Sequence, residues 1–171
     1  MSLRIIHNGS PNAPTILLLA HGAGAGMDTE FMRSIAEACA GPDIEVIRFE
    51  FPYMTLQREH GKKKAPNTQK VLLETFEHEL QQLRPAKIYI GGKSMGGRIA
   101  SMLADSHNVS GLICLGYPFH PPGKPDKLRT KHLEHLQCRT LILQGERDPF
   151  GKKEEVKGYT LSKQISIEWV P

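Results

Sequence analysis

The sequence predicts an α/β domain built as a mostly parallel sheet with helices on both faces. Two observations predict it. Short apolar runs alternate with amphipathic stretches along the chain, and strands that take turns with helices pair in parallel across helical crossovers. The chain also has 171 residues with no internal repeat and no linker. That length supports one core and is too short for two, so a single domain over 1–171 is expected.

The elements follow in order. LRIIHNG (3–9) is a candidate edge strand. TILLLAHG (15–22) has the pattern of a buried strand ending in glycine. DTEFMRSIAEACAGP (28–42) reads as a helix. Asp28 is its expected cap, Phe31, Ile35 and Cys39 share one face, and Gly41-Pro42 stops it. IEVIRFEFP (44–52) is the next strand, closed by proline. NTQKVLLETFEHELQQLRP (67–85) is a helix. Asn67 or Thr68 caps it, Leu72, Phe76, Leu80 and Leu83 make a buried stripe, and Pro85 ends it. KIYIGGKS (87–94) is a strand and GGRIASMLADSHN (96–108) the helix after it. VSGLICLGYP (109–118) and RTLILQGERD (139–148) are strands, KKEEVKGY (152–159) a short helix and ISIEWVP (165–171) a last strand. The proline-rich stretch 117–132 is a loop and the only place for a small lid.

Composition narrows the class. Apolar residues are 39% and charged residues 23%, which is ordinary for a soluble globular protein. The net charge is +4, partly from Lys62-Lys63-Lys64 and the run from Lys124 to Lys131. Such runs are solvated loop surface in the plainer reading and a groove for an acidic substrate in the sharper one. They are short, lack interleaved aromatics and match no nucleic-acid motif, so no nucleic-acid partner is expected. Cys39, Cys114 and Cys138 form no Cys-x-x-Cys pair and no metal spacing. They read as buried free thiols in a reducing compartment. No signal peptide is visible and the longest apolar runs are too short to span a bilayer. A cytoplasmic protein without membrane attachment is expected, and nothing in the sequence reports an oligomeric state.

YIGGKSMGGR (89–98) holds two competing motifs. Gly-Lys-Ser can end a phosphate-binding loop, and Gly-x-Ser-x-Gly can hold a nucleophilic serine. The phosphate loop requires a glycine five residues before Gly92. That residue is Lys87, and Ile88-Tyr89-Ile90 belong to a strand, so no phosphate cradle fits. HGAGAGM offers no dinucleotide fingerprint either, because Met27 stands where its last glycine belongs. The nucleophile reading meets each requirement. Ser94 falls between a strand and a helix, on a sharp turn that lifts its hydroxyl above the sheet. Gly92 and Gly96 keep the turn clear, and the Met95 N–H opens the helix as an oxyanion donor.

Two further pieces lie on the same edge. AHGAGAG (20–26) follows an early strand, and Gly22 and Gly24 make a loop from which the Ala23 N–H supplies a second oxyanion donor. LQGERDPFG (143–151) carries Asp148 at a strand's C-terminal end, where it can orient a histidine; Glu146 is the weaker alternative.

In that order, HGAGAG, GGKSMGGR and LQGERDPFG resemble the α/β-hydrolase superfamily. They look most like its KANL3/Tex30-like branch, related to dienelactone hydrolases. The resemblance runs from about residue 13 to the end. It implies an α/β-hydrolase fold with little or no lid, Ser94 as nucleophile, Asp148 as acid, and Ala23 and Met95 as oxyanion donors. It also implies a small-molecule acyl substrate and neither metal nor organic cofactor. The family's histidine follows the last strand, so it is expected beyond Pro171, together with a final helix. His120 is the weak substitute within the chain; His21 is expected to be structural and the other histidines to lie on the surface. The function expected is a serine hydrolase of ester, thioester or related acyl bonds. The alternative is a non-catalytic interaction scaffold on the same fold. Specificity is expected from loops 52–67 and 117–132.

Overall fold

Each apolar run becomes a strand, and the strands join in one sheet. The computed structural model describes residues 4–171; Leu3, at the start of the expected first strand, lies outside them. The strands are β1 Ile5–Asn8, β2 Thr15–Ala20, β3 Ile44–Phe49, β4 Lys87–Lys93, β5 Gly111–Leu115, β6 Thr140–Gly145 and β7 Ile165–Val170. Their spatial order is β1-β3-β2-β4-β5-β6-β7. β1 is antiparallel to β3, and every other neighbouring pair is parallel. Burial follows position in the sheet. In central β2 everything after Thr15 is buried. Edge strand β7 alternates, with Ile165, Ile167 and Trp169 against the core and Ser166, Glu168 and Val170 outside.

Helices cover both faces. On one, α1 (Glu30–Cys39) packs Met32 and Ala36 against Leu17, Leu19 and Val46. The other face carries α2 (Pro52–His60), α3 (Gln69–Gln81), α4 (Met95–Leu103) and the single turn α5 (Lys153–Val156). Here lies the larger core. The Phe49 ring meets Phe51 and Phe76 edge-on, with centroids 5.2 and 5.1 Å apart. Leu72, Phe76 and Leu80 are buried along α3 as their spacing predicts, and Leu83 packs at its end. α4 contacts β4, β5, β2 and α3, which makes it the central helix of this layer. Among the described residues no helix is long and apolar enough to cross a membrane.

Five expectations are corrected. Asp28 does not cap α1. Thr29 does, its Oγ1 accepting the Met32 N–H at 3.4 Å, while Asp28 pairs with Arg4 at 2.7 Å. The inner face of α1 is set by Met32 and Ala36, whereas Phe31 and Cys39 are exposed. Only Cys114 of the three thiols is fully buried. Residues 52–60 are helical and not loop. Pro52 opens α2 at its first position and Gly61 closes it in the left-handed conformation, φ 65°. The later elements are shorter than expected: α4 ends at Leu103 ahead of the largely polar turn 104–110, and β5 ends at Leu115, where Gly116 takes φ 69°.

Packing is tight where β4 turns into α4. A Cβ on Gly96 would stand 2.5 Å from the Ala20 carbonyl oxygen and 2.7 Å from the His21 oxygen. One on Gly92 would strike the same Ala20 oxygen. Both obstacles are backbone and cannot rotate away. Gly96→Ala is therefore expected to destabilise the protein by about 1–3 kcal/mol, a drop of roughly 2–12 °C in Tm. Gly24→Ala is the control, since a Cβ there meets nothing within 4 Å, and it should stay within about 0.5 kcal/mol. Thermal unfolding followed by circular dichroism measures both.

Candidate active site

The strand order places a crevice. β2 has β3 on one side and β4 on the other, so connections leave it in opposite directions. Open parallel sheets bind ligands at such a switch point, outside the carboxyl ends of the strands. Here those ends are in register, Ala20 opposite Gly92. The loop 21–26 and Ser94 both emerge there.

Ser94 has φ 49° and ψ −112°, and it is the one non-glycine residue with positive φ among the described residues. Such a conformation costs about 1–3 kcal/mol and persists only where the surroundings enforce it. Its N–H donates to the Leu115 carbonyl at 3.0 Å, and its own carbonyl accepts from Arg98 N at 3.0 Å. It caps α4 by position, yet its hydroxyl makes no capping bond. That hydroxyl stands at the positive end of a nine-residue helix whose first residue is Met95.

The loop 21–26 packs directly on it. A Cβ on Gly22 would lie 3.9 Å from the Ser94 Cβ. His21 and Tyr53 hold this loop from below. His21 Nε2 accepts the Phe51 N–H at 3.0 Å, which leaves Nδ1–H to donate to the Gly22 carbonyl at 2.7 Å. The Tyr53 hydroxyl reaches the carbonyls of Gly22 and Ala23 at 3.1 and 3.0 Å. His21 is thus structural, as expected. Burial, opposed by the Gly22 carbonyl, lowers its pKa below 6.5. Gly24 is exposed and packs against nothing.

Ala23, Ser94 and Met95 line one open cleft of about 330 Å³ with Asn67, Arg98, Arg129 and Phe150. Asp148 is not in its wall but stands behind it. Its Oδ1 accepts the Phe150 N–H at 2.9 Å, and its Oδ2 lies 3.4 Å from where a Cβ on Gly116 would be. Gly116 has φ 69° and directly follows Leu115, the residue that holds the Ser94 N–H. Ser94 and Asp148 thus lean on neighbouring residues at the end of β5. Glu146 is committed elsewhere: Lys153 holds it at 2.5 Å and keeps its carboxyl below the usual range.

No histidine of the described residues lines this cleft. His120 is buried outside it, with Nδ1 against the Pro121 carbonyl and Nε2 against Glu155. His107 and His132 are half-buried instead of on the surface. His107 pairs with Glu77, and His132 Nε2 meets Ser101 Oγ at 2.8 Å. The site residue that sequence reasoning missed is Arg98, four positions after Ser94 and hence on the same helical face. Arg129 was hidden inside a basic run whose lysines are exposed.

His21 makes stability depend on pH. Buried and neutral, it resists a proton that the unfolded chain accepts below about pH 6.5. The unfolded state then binds more protons, so stability falls as pH drops from about 6.5 toward the lower native pKa. His132 is lowered the same way, by burial first and then by Arg98. His21→Gln should flatten the fall between about pH 6.5 and 5 and leave the His132 share. Urea midpoints across that range read the difference.

The fold is shared with solved serine hydrolases. An alpha-beta serine hydrolase homologue from Coxiella burnetii superposes with a TM-score of 0.70 at 19% identity, over 98% of this chain and 80% of that one. An a/b serine hydrolase without lid from Xanthomonas campestris gives 0.64 at 17%, over 99% and 78%. A dienelactone hydrolase from Anabaena variabilis gives 0.69 at 18%, over 99% and 80%. Residues 13–171 match the alpha/beta hydrolase domain family. With its seven-stranded, mostly parallel sheet and its serine turn at the switch point, this chain belongs to the alpha/beta hydrolase domain family.

Proposed function

We propose that the protein is a cytoplasmic serine hydrolase of small acyl esters or thioesters, of the KANL3/Tex30-like, dienelactone-hydrolase-related kind. One observation carries the reading: Ser94 holds a strained backbone conformation at the crevice while its hydroxyl is spared from capping. Ser94 Oγ attacks the acyl carbonyl. The developing oxyanion is held by the N–H groups of Met95 and Ala23. A histidine following β7, past Pro171, takes the serine proton and returns it to the leaving group; Asp148 orients it. Water then cleaves the acyl-enzyme by the same path. β7 runs parallel to β6, so a loop leaving its end starts on the edge that carries Ser94 and Asp148. That geometry supports the assignment of the base. The free thiols are compatible with a reducing compartment.

A second reading, a non-catalytic scaffold, is favoured by the absence of histidine from the cleft lining of the described residues. A fluorophosphonate probe separates the two. The hydrolase labels once, at Ser94, and Ser94→Ala loses both labelling and ester turnover by at least about a thousandfold. The scaffold does not label.

The labelling rate of the wild-type protein should also fall as pH drops through about 6.5, where an ordinary histidine base takes up its proton. A flat rate from pH 8 to pH 5 removes the histidine from the reaction. Asp148→Asn should slow turnover by about four orders of magnitude, leaving the fold intact by circular dichroism.

A further inference from the structure

Two guanidinium groups share the cleft with Ser94, and neither has a carboxylate. Arg4, Arg58 and Arg84 each pair with an acid; Arg98 and Arg129 do not, among the described residues. Arg98 sits one helical turn after Ser94 and reaches Gln69 Oε1 at 2.6 Å, while its Nε is buried without a partner. Arg129 comes from the loop across the cleft. Its backbone is fixed at both ends: its N–H donates to Phe119 O at 2.7 Å, and its carbonyl accepts the Tyr117 hydroxyl at 2.9 Å. Its side chain makes no hydrogen bond among the described residues. Burial, and then the nearby charge of Arg98, lower the Arg129 pKa. Two like charges held together in a half-dry cleft repel each other, and an anion placed between them relieves both the repulsion and the empty donors.

Resting on the hydrolase reading above, we propose that Arg98 and Arg129 form an anion subsite that selects acyl substrates carrying a free carboxylate away from the scissile bond. Leu72, Met95, Pro118 and Phe150 make the rest of that wall largely apolar. A carboxylate fits it better than a phosphate dianion, because it brings less charge to desolvate. Arginine also suits the planar, two-oxygen geometry of a carboxylate.

Binding is measured by calorimetry on Ser94→Ala protein, which keeps both arginines and removes the hydroxyl. The probes are monomethyl succinate, glutarate and adipate, each against its neutral dimethyl ester. At least one monoester should bind about tenfold or more tighter than its diester. That preference should weaken as salt rises. Arg129→Gln should bring the pair to within about threefold, and Arg98→Lys, which keeps the charge but not the fork, should lose part of it. Equal binding of every pair overturns the proposal, as does a preference that survives Arg129→Gln in folded protein. Methyl phosphate binding more tightly than all three monoesters overturns the carboxylate assignment. Failure of the hydrolase reading shows elsewhere, as phenyl-ester turnover in wild-type protein that survives Ser94→Ala.

Discussion

The turn from β4 into α4 passes so close to the end of β2 that no Cβ fits at Gly92 or Gly96. The rest of the cleft takes its position from that contact. The Ala20 carbonyl faces the turn on one side, and the Leu115 carbonyl holds the Ser94 N–H on the other. Between two strand ends of one sheet, the chain has a single sharp way to leave β4 and enter a helix. Ser94 pays for that path with a left-handed φ. Strain of this kind survives because the flanking hydrogen bonds and the packing of α4 on β4 and β5 exceed it.

The second support is aromatic and comes from the chain after β3. His21, Phe51 and Tyr53 cluster under the loop 21–26, with the His21 ring 5.1 Å from Phe51 and 5.8 Å from Tyr53. This bracket takes up the carbonyls of Gly22 and Ala23. A peptide's N–H and C=O point in opposite senses, so occupying the carbonyls from below leaves the N–H groups of this loop for whatever sits above. The two bonds answer a proton differently: a charged imidazole still donates from Nδ1 to the Gly22 carbonyl but can no longer accept the Phe51 N–H at Nε2. The buried neutral tautomer is therefore part of the loop's geometry, and acid loosens it.

Most of the fold was legible because the sheet is buried on both faces. TILLLA and KIYIGGK are near-continuous apolar runs, and nothing but a central strand suits them between helices. The serine turn was legible for a related reason: its glycines record a steric limit, and such limits leave marks in sequence. What failed was amphipathic reading at helix ends. Asp28 and Thr29 are both good caps, and the choice fell to Thr29 because Arg4 claims Asp28 through a contact 24 residues away. α2 was missed because Pro52 reads equally as a strand stop or a helix start. Gly61 at its far end was the discriminating signal. Arg129 was illegible for want of topology, since only the fold brings residue 129 back across the cleft.

Chemistry and recognition rest on different supports. Ser94, Met95 and Arg98 belong to one helix start, so the proposed nucleophile, a proposed oxyanion donor and one guanidinium keep fixed spacing. Arg129 hangs on the loop after β5, tied down by Tyr117 and Phe119, whose tilted rings pack with centroids 4.9 Å apart. That loop leaves the sheet one residue past Leu115, beside Gly116 and the Asp148 carboxylate. A shift of the loop therefore moves Arg129 relative to Arg98 but leaves the Ser94 turn in place. The distance from serine to anion subsite can then change with loop sequence while the serine turn stays constant. On the proposed reading, substrate length follows the loop and the reaction follows the strand end.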